Sequence, residues 1–193
     1  MTGETVLIFG FGGHARVIAS LLDRPSRLID KGDEESVFAD TATLLNTDVY
    51  VGLGDNTIRE RIFIRLSGMG VALPPLVAAG AFVSRGAQIG RGAVILPGAV
   101  VMTGTRVGDN CIIDLLSSVD HDCVIGPHTF IGPGVSIPGH VVIGSRCFFG
   151  VKSATFPNVK IGDGVVVRAG SLVTKDVEAG VKVGGTPAVK IAG

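Results

Sequence analysis

From Ala81 to Asp176 the hydrophobic and polar positions repeat every six residues without one insertion. Cut into hexads, the run reads AFVSRG, AQIGRG, AVILPG and onward to SLVTKD. Of the 16 blocks, 14 carry Ile or Val at the third place, Phe149 and Thr155 being the exceptions. Every first place holds Ala, Ser, Thr, Cys or Val, and Gly90, Gly108, Gly126, Gly144 and Gly162 recur at an interval of eighteen. An α-helical period of 3.6 cannot produce this pattern. A period of six nested in eighteen predicts a parallel β-helix with three short strands per coil. Its third-place aliphatics stack inward, and Gly, Asn or Asp turn its corners. Each coil adds about 4.8 Å, so the prism stands roughly 25 Å tall and residues eighteen apart lie one above the other.

The preceding residues follow a different pattern, which divides the chain into domains 1–77 and 78–193. Val6-Leu7-Ile8-Phe9 is a short buried strand, followed by the loop Gly10-Phe11-Gly12-Gly13-His14-Ala15 and a helix with apolar positions Val17, Ile18, Leu21 and Leu22. Arg27–Asp30 and Asp48–Gly52 read as two further strands with a loop between them. Leu53-Gly54-Asp55-Asn56 then leads into a helix with Ile58, Ile62, Ile64 and Leu66. This is a β-α-β-loop-β-α unit, an α/β mononucleotide-binding (Rossmann-like) half-domain. The loop fits G-x-G-x-x-[GA] through Gly10, Gly12 and Ala15, a pattern that offers backbone amides and a helix N-terminus to phosphate. Asp30 on the next strand supplies a carboxylate for a ribose or base. So short a domain provides one mononucleotide half, which favours a nucleotide attached to something else over a dinucleotide. A tight strand–helix turn without ligand is the alternative.

Lys+Arg and Asp+Glu both number 17 in 193 residues, so the formal net charge is zero and binding of nucleic acid through its phosphates is not expected. The mean hydropathy of +0.51 raises the question of a membrane span. The longest charge-free stretch, Val124 to Ser145, contains five Gly and three Pro and cannot stay helical across a bilayer, so no membrane insertion is expected. Met1-Thr2-Gly3-Glu4 carries no basic leader pattern, and a cytoplasmic protein is expected. The three cysteines, Cys111, Cys123 and Cys147, occupy the small first place of their hexads. Cys111 and Cys147 are 36 residues apart, hence about 10 Å apart in one column and too far for a disulfide. They read as core filler.

Four histidines remain as candidate chemistry. His128 and His140 take sixth places and read as solvated corner residues. His121 differs, because it lies in Ser117-Ser118-Val119-Asp120-His121-Asp122-Cys123, flanked by two carboxylates. A neighbouring carboxylate holds one ring nitrogen and leaves the other to accept a proton. Gly139 follows eighteen residues later and stacks one strand spacing above, where its N–H faces an acyl carbonyl while His121 faces the attacking group. That is the pairing of base and oxyanion donor that acyl transfer needs.

These hexads resemble the bacterial hexapeptide transferases. The whole chain, with GFGGHARV at its start and SSVDHDCVIG and VGGTPA later, is similar to the NeuD/PglD-type sugar acyltransferases. The resemblance implies a left-handed β-helix, a homotrimer with active sites between neighbouring prisms, acetyl-CoA as cosubstrate and no metal. It further implies acetyl transfer to the amine of a nucleotide-linked amino sugar for surface glycans, directly and without an acyl-enzyme. O-acetylation of sialic acid or another sugar hydroxyl is the alternative within enzymes. By position, His121 matches the general base and Asp122 the acid that tunes it. Gly12, Gly13, His14, Asp30 and Gly54 match the nucleotide-sugar contacts, and Phe130, Gly139, Val151 and Ala169 match the contacts to acetyl-CoA. Three departures stand out: Phe130 replaces a His of some members, Asp114-Leu115-Leu116 replaces Asn-Thr-Gly, and Lys31 follows Asp30 where some members carry a second acid. A serine acetyltransferase is disfavoured by the absence of a helical N-terminal domain, and a γ-type carbonic anhydrase by the spacing of His121, His128 and His140. A non-catalytic solenoid scaffold is the rival from another class.

Overall fold

In the computed structural model, which describes residues 5–191, the hexads fold into two-residue strands separated by four-residue corners. The strands form three parallel sheets, one on each side of a prism. The register is eighteen throughout the middle. On the first face Val94, Ile112, Phe130 and Phe148 stand in one column, on the second Val100, Ser118 and Ser136, and on the third Arg106, Val124 and Val142. Toward the C-terminus the step shortens to sixteen, with Val166 beside Lys182 and Ile161 beside Val177, where the hexads end. An antiparallel pair, Lys182–Gly185 with Ala188–Lys190, finishes the first sheet.

The third places point inward as the period requires. Val101, Val107, Ile113, Val119, Ile125, Ile131, Ile137 and Ile143 are all buried, and both exceptions to the Ile/Val rule, Phe149 and Thr155, are buried in the same place. The first places stitch successive coils together. Thr105 Oγ1 donates to the Asp120 carbonyl and accepts the Cys123 N–H, and Thr129 Oγ1 does the same with Gly144 and Cys147. The Cys111, Cys123 and Cys147 thiols donate to carbonyls fifteen residues on, each at 3.1 Å. All three cysteines are free and buried, and burial pushes the Cys123 and Cys147 thiols up, away from the thiolate form a nucleophile needs. The sixth places turn the corners in the left-handed region, and more residue types than Gly, Asn and Asp do so: Leu116 (φ 57°), His128, His140, Arg146 and Lys152 adopt it too.

The N-terminal unit contains a three-stranded parallel sheet. Its order is β2 (Ser26–Ile29), β1 (Val6–Phe9), β3 (Val49–Val51), so the central strand is apolar at all four positions and buried throughout. Helix α1 (Gly13–Ser20) follows β1 and buries Ala15 and Ile18. The segment expected to be a loop between Asp30 and Asp48 holds two short helices instead, α2 (Glu34–Ala39) and α3 (Thr41–Leu45). Glu34 and Glu35 suit the positive end of α2, Asp40 caps α3 through the Thr43 N–H, and Val37, Phe38 and Leu44 bury the inner side. Helix α4 (Asn56–Gly68) buries Arg59, Ile62, Phe63 and Leu66, the i, i+3, i+4, i+7 stripe. Ile58 and Ile64, expected on the apolar face, lie off that stripe and are exposed.

The two compact units are Met1–Pro74 and Pro75–Gly193. The strand Leu76–Val77 already pairs with Val94–Ile95, so the first rung of the prism lies before the expected boundary at 78. Residues 1–4, expected to lack a basic leader pattern, lie outside the described residues. No helix among the described residues is long and apolar enough to cross a membrane.

Candidate active site

The corner between the second and third faces carries Asp120-His121-Asp122 in one coil and Pro138-Gly139-His140 in the next. Asp120 accepts the His121 backbone N–H at 2.8 Å, which fixes the start of the corner. Asp122 sits at the sixth place with φ 57°, and its carboxylate accepts the proton on His121 Nδ1 at 2.9 Å. A carboxylate can only accept, so the bond leaves Nε2 as the nitrogen free to take a proton. The same bond is the first cause of the raised pKa of His121, with the charges of Asp120 and Asp122 adding to it. The ring stands half exposed against the next coil. A Cβ at position 139 would lie 2.6 Å from both Cε1 and Nε2 of His121, so the imidazole occupies space that only glycine leaves open.

Gly139 also offers a donor. The fifth places of the hexads have no ladder partner for their N–H groups. Proline stands at Pro97, Pro127, Pro133 and Pro157, and Asp side chains take the N–H groups of Arg91, Leu115, His121 and Ser145. Among the described residues the N–H groups of Gly139, Val151 and Ala169 meet no protein acceptor. Val151 and Ala169 are exposed, so their amides are open to solvent or to a ligand, whereas Gly139 is buried against the His121 ring. The structure thus brings His121, Asp122 and Gly139 together on one edge. It does not bring Phe130, Val151 and Ala169 to that edge. Phe130 lies on the first face, stacked on Phe148 with ring centroids 5.1 Å apart, and Val151 and Ala169 lie on the edge between the first and second faces.

One histidine expectation needs correction. His128 is buried, not solvated, and its Nδ1 accepts from Asn110 Nδ2 at 2.8 Å, because stacking at eighteen puts the two corner side chains in one column. His140 is exposed as expected, but its ring meets the His121 ring edge to face, with centroids 5.0 Å apart. At the departure from the resembling family, Asp114 is buried and accepts the Leu115 N–H, and its burial raises its pKa. Leu116 takes the left-handed corner with its side chain 75 % exposed, a conformation that costs a non-glycine residue roughly 1–2 kcal/mol.

In the N-terminal unit the glycine loop behaves as its motif demands. Gly10 has φ +126°, and a Cβ there would meet the Gly52 carbonyl oxygen at 2.6 Å. Gly12 precedes α1, and no protein atom lies within 4 Å of where its Cβ would be, so a ligand can approach the backbone. Beside it is a cavity of about 300 Å³ whose lining includes Gly12, Asp30, Lys31, Leu53 and Ile58. Sequence reasoning missed Phe11, which is 59 % exposed in the same lining, and Arg61, which pairs with Glu34 at 3.3 Å. An aromatic residue inside a glycine loop was the available signal for Phe11. Gly13, His14 and Gly54 do not line the cavity. His14 is held neutral, with its pKa lowered to about 4 by burial and by the Arg59 charge, and its Nε2 is a buried atom without a partner. The Gly54 carbonyl accepts from the buried Arg59, which also donates to Leu53 O and Asn56 Oδ1 and so fastens the loop after β3.

Residues 86–114 and 122–153 match the bacterial transferase hexapeptide (six repeats) family, and residues 140–175 match the hexapeptide repeat of succinyl-transferase. Among solved structures, the chain is similar to the acetyltransferase domain of PglB from Neisseria gonorrhoeae in complex with acetyl coenzyme A. The TM-score is 0.88 and the identity 28 %, over 98 % of this chain and 100 % of that one. It is similar also to PerB from Caulobacter crescentus in complex with CoA and GDP-perosamine, with a TM-score of 0.93 and 27 % identity over 98 % of each chain. Among curated proteins, it is 36 % identical over 84 residues to UDP-3-O-acylglucosamine N-acyltransferase of Methylorubrum extorquens, covering 44 % of this chain and 24 % of that protein. The chain spans less than half the length of the curated relatives it matches. The six-residue repeats at residues 86–114 and 122–153, folded as three parallel faces, belong to the bacterial hexapeptide-repeat transferase family.

Proposed function

We propose that this protein is an acetyl-CoA-dependent N-acetyltransferase acting on the amine of a nucleotide-linked amino sugar. The observation that carries the reading is the close approach of His121 Nε2 to the backbone of Gly139 while Asp122 holds Nδ1. The likeness to PglB and PerB over nearly the whole chain supports acetyl-CoA as donor and a nucleotide-linked amino sugar as acceptor. The prism is read as left-handed and the N-terminal unit as a Rossmann-like mononucleotide-binding half. The protein is expected to work in the cytoplasm.

The chemistry follows from the corner. His121 Nε2 takes a proton from the acceptor amine as its lone pair attacks the thioester carbonyl. A C–N bond forms, the negative charge on oxygen falls to the Gly139 N–H, and the C–S bond breaks. The departing thiolate takes up the proton that His121 collected. Asp122 stabilises the imidazolium in between, and no side chain is acylated. Phosphates of the acceptor suit the amides at Gly12 and Gly13, with Asp30 at the nucleoside, His14 and Gly54 behind the loop, and Phe11 against the base or sugar.

The coenzyme-contacting set divides between edges, and this supports a homotrimer. Within one protomer His121 and Gly139 lie on one edge, whereas Val151 and Ala169 lie on another. A single coenzyme reaches both sets where the edge of one prism faces the edge of its neighbour. The test is turnover. Purified protein given acetyl-CoA and a panel of nucleotide-linked 4-amino sugars should release coenzyme A thiol and yield the acetamido sugar by mass spectrometry. Turnover with free hydroxyl acceptors only, or with no acceptor, would overturn the reading.

A further inference from the structure

His140 has no part in the transfer chemistry, yet it stands one coil above Asp122, in the same corner column. Its backbone N–H donates to the His121 carbonyl at 3.1 Å and its ring meets the His121 ring at 89°. One ligand atom from each of His121, Asp122 and His140 lies within 4.8 Å of the others, and all three residues are exposed. We propose that His121, Asp122 and His140 form a binding site for a divalent transition-metal ion of the zinc class, and that occupation of this site inhibits the protein. The inhibitory half of this inference rests on the reading of His121 as the base; the binding half does not.

The donor set selects the ion. Two imidazole nitrogens and one carboxylate oxygen suit zinc, cobalt, nickel and copper. Magnesium and calcium require oxygen-rich shells that this corner lacks. Bonds near 2.0–2.2 Å in a tetrahedral shell put donors about 3.3 Å apart. Nδ1 of His121 and the Asp122 carboxylate already lie 2.9 Å apart, so the ion takes the place of their shared proton, and His140 has a short distance to close. The backbone is prepared for this, because Asp122 and His140 both sit in left-handed corners, held by N–H bonds to the coil below. Their side chains, being exposed, are free to turn. Three protein ligands leave a fourth position open. The three cysteines do not compete, since all are buried. Metal at this point locks the His121 ring against Asp122 and His140 and removes it from the acceptor amine. The ion is therefore an inhibitor and not a cofactor.

The experiment has a binding arm and a rate arm, both on the full chain. Calorimetry with zinc chloride should show one ion per chain at micromolar concentration. Cobalt chloride as probe should give the strong visible absorption of a four-coordinate site. Zinc should abolish most turnover, scored by mass spectrometry of the acetylated product, with recovery on adding EDTA and no effect of magnesium. His140→Asn, which tolerates the left-handed corner, should keep metal-free turnover while weakening zinc binding and inhibition together by at least about tenfold. Absence of zinc and cobalt binding up to roughly 100 μM, or a His140→Asn protein that binds zinc and is inhibited like its parent, overturns the inference. Should no acceptor be turned over at all, the transferase reading falls, while the calorimetric and cobalt results still decide the site.

Discussion

His121 occupies the space beside Gly139 that a side chain would fill: a Cβ at 139 would stand 2.6 Å from both Cε1 and Nε2 of the imidazole. The proposed base and the proposed oxyanion donor are thereby set by one contact between successive coils. Gly139→Ala should push the ring off the corner and lower kcat by roughly 10²-fold, within the range for losing a positioned catalytic donor or base. The prism should melt within a few degrees of the parent, because position 139 lies at a corner and not among the stacked core side chains. A variant with unchanged kcat would show that the contact has no part in the reaction.

His121→Ala should cost about 10²–10⁴ in kcat, the usual contribution of general base catalysis. Asp122→Asn should cost less and change the pH profile in a defined direction. The Asp122 bond raises the pKa of His121, so removing that charge makes the imidazole release its proton at lower pH. The acid limb of kcat should therefore move to lower pH while the plateau falls. Measuring kcat from pH 5 to 8 for both proteins decides it, and a limb moving upward refutes the arrangement.

His14 links the N-terminal unit to pH. Its pKa is about 4 in the folded chain, with burial as the main cause, against 6.5 for the free group. The folded value is depressed, so as pH falls the unfolded chain takes up the proton first. The stability tied to the neutral imidazole is whole above pH 6.5 and is lost between there and about pH 4. By pH 5 the loss is about 2 kcal/mol for a pair of pKa values this far apart. Urea unfolding at pH 7 and pH 5 should show that loss in the parent and its absence in His14→Gln. Equal pH dependence in the two proteins would contradict the buried neutral state.

The proposed sharing of sites between protomers predicts complementation. Light scattering should give a trimer near 60 kDa, three times the 19.8 kDa chain. His121→Ala and Ala169→Trp should each be inactive, one for want of the base and the other because the added ring covers the amide at 169. Unfolded, mixed and refolded together, the two should regain activity at the interface that joins an intact His121 to an intact Ala169. Activity that stays at background in the mixture would place both sets in one protomer.

Residues 75–193 form their own unit, with a continuous buried column from Ala93 to Val183. Expressed alone, they should fold cooperatively and still bind coenzyme A in calorimetry while failing to bind nucleotide. In the full chain, Phe11→Ala should raise KM for the acceptor roughly tenfold, in line with about 1–3 kcal/mol for an aromatic–base stack, and leave KM for acetyl-CoA unchanged. Coenzyme affinity lost with the first unit would mean that the glycine loop serves the adenine nucleotide of the coenzyme.

The prism was legible in the sequence because a β-helix repeats its environment every six residues, so each third-place Ile or Val states the same fact about burial. The eighteen-residue step converted spacing into position, which is why the stacking of His121 under Gly139 could be foreseen from sequence numbers. The glycine loop was legible for a related reason: a turn as tight as that at Gly10 excludes other residues. Tertiary structure alone decided what no local pattern encodes. The helices at Glu34–Ala39 and Thr41–Leu45 lack a long apolar stripe and depend on caps and on burial of Val37, Phe38 and Leu44. The buried stripe of α4 includes Arg59, a charge made tolerable by carbonyls of the loop that leads into the helix, and omits Ile58 and Ile64. His128 and His140 occupy identical places in their hexads, yet one is buried against Asn110 and the other is exposed beside His121. A corner residue's surroundings come from the coils above and below it, eighteen residues away in either direction, and that is information the hexad itself does not contain.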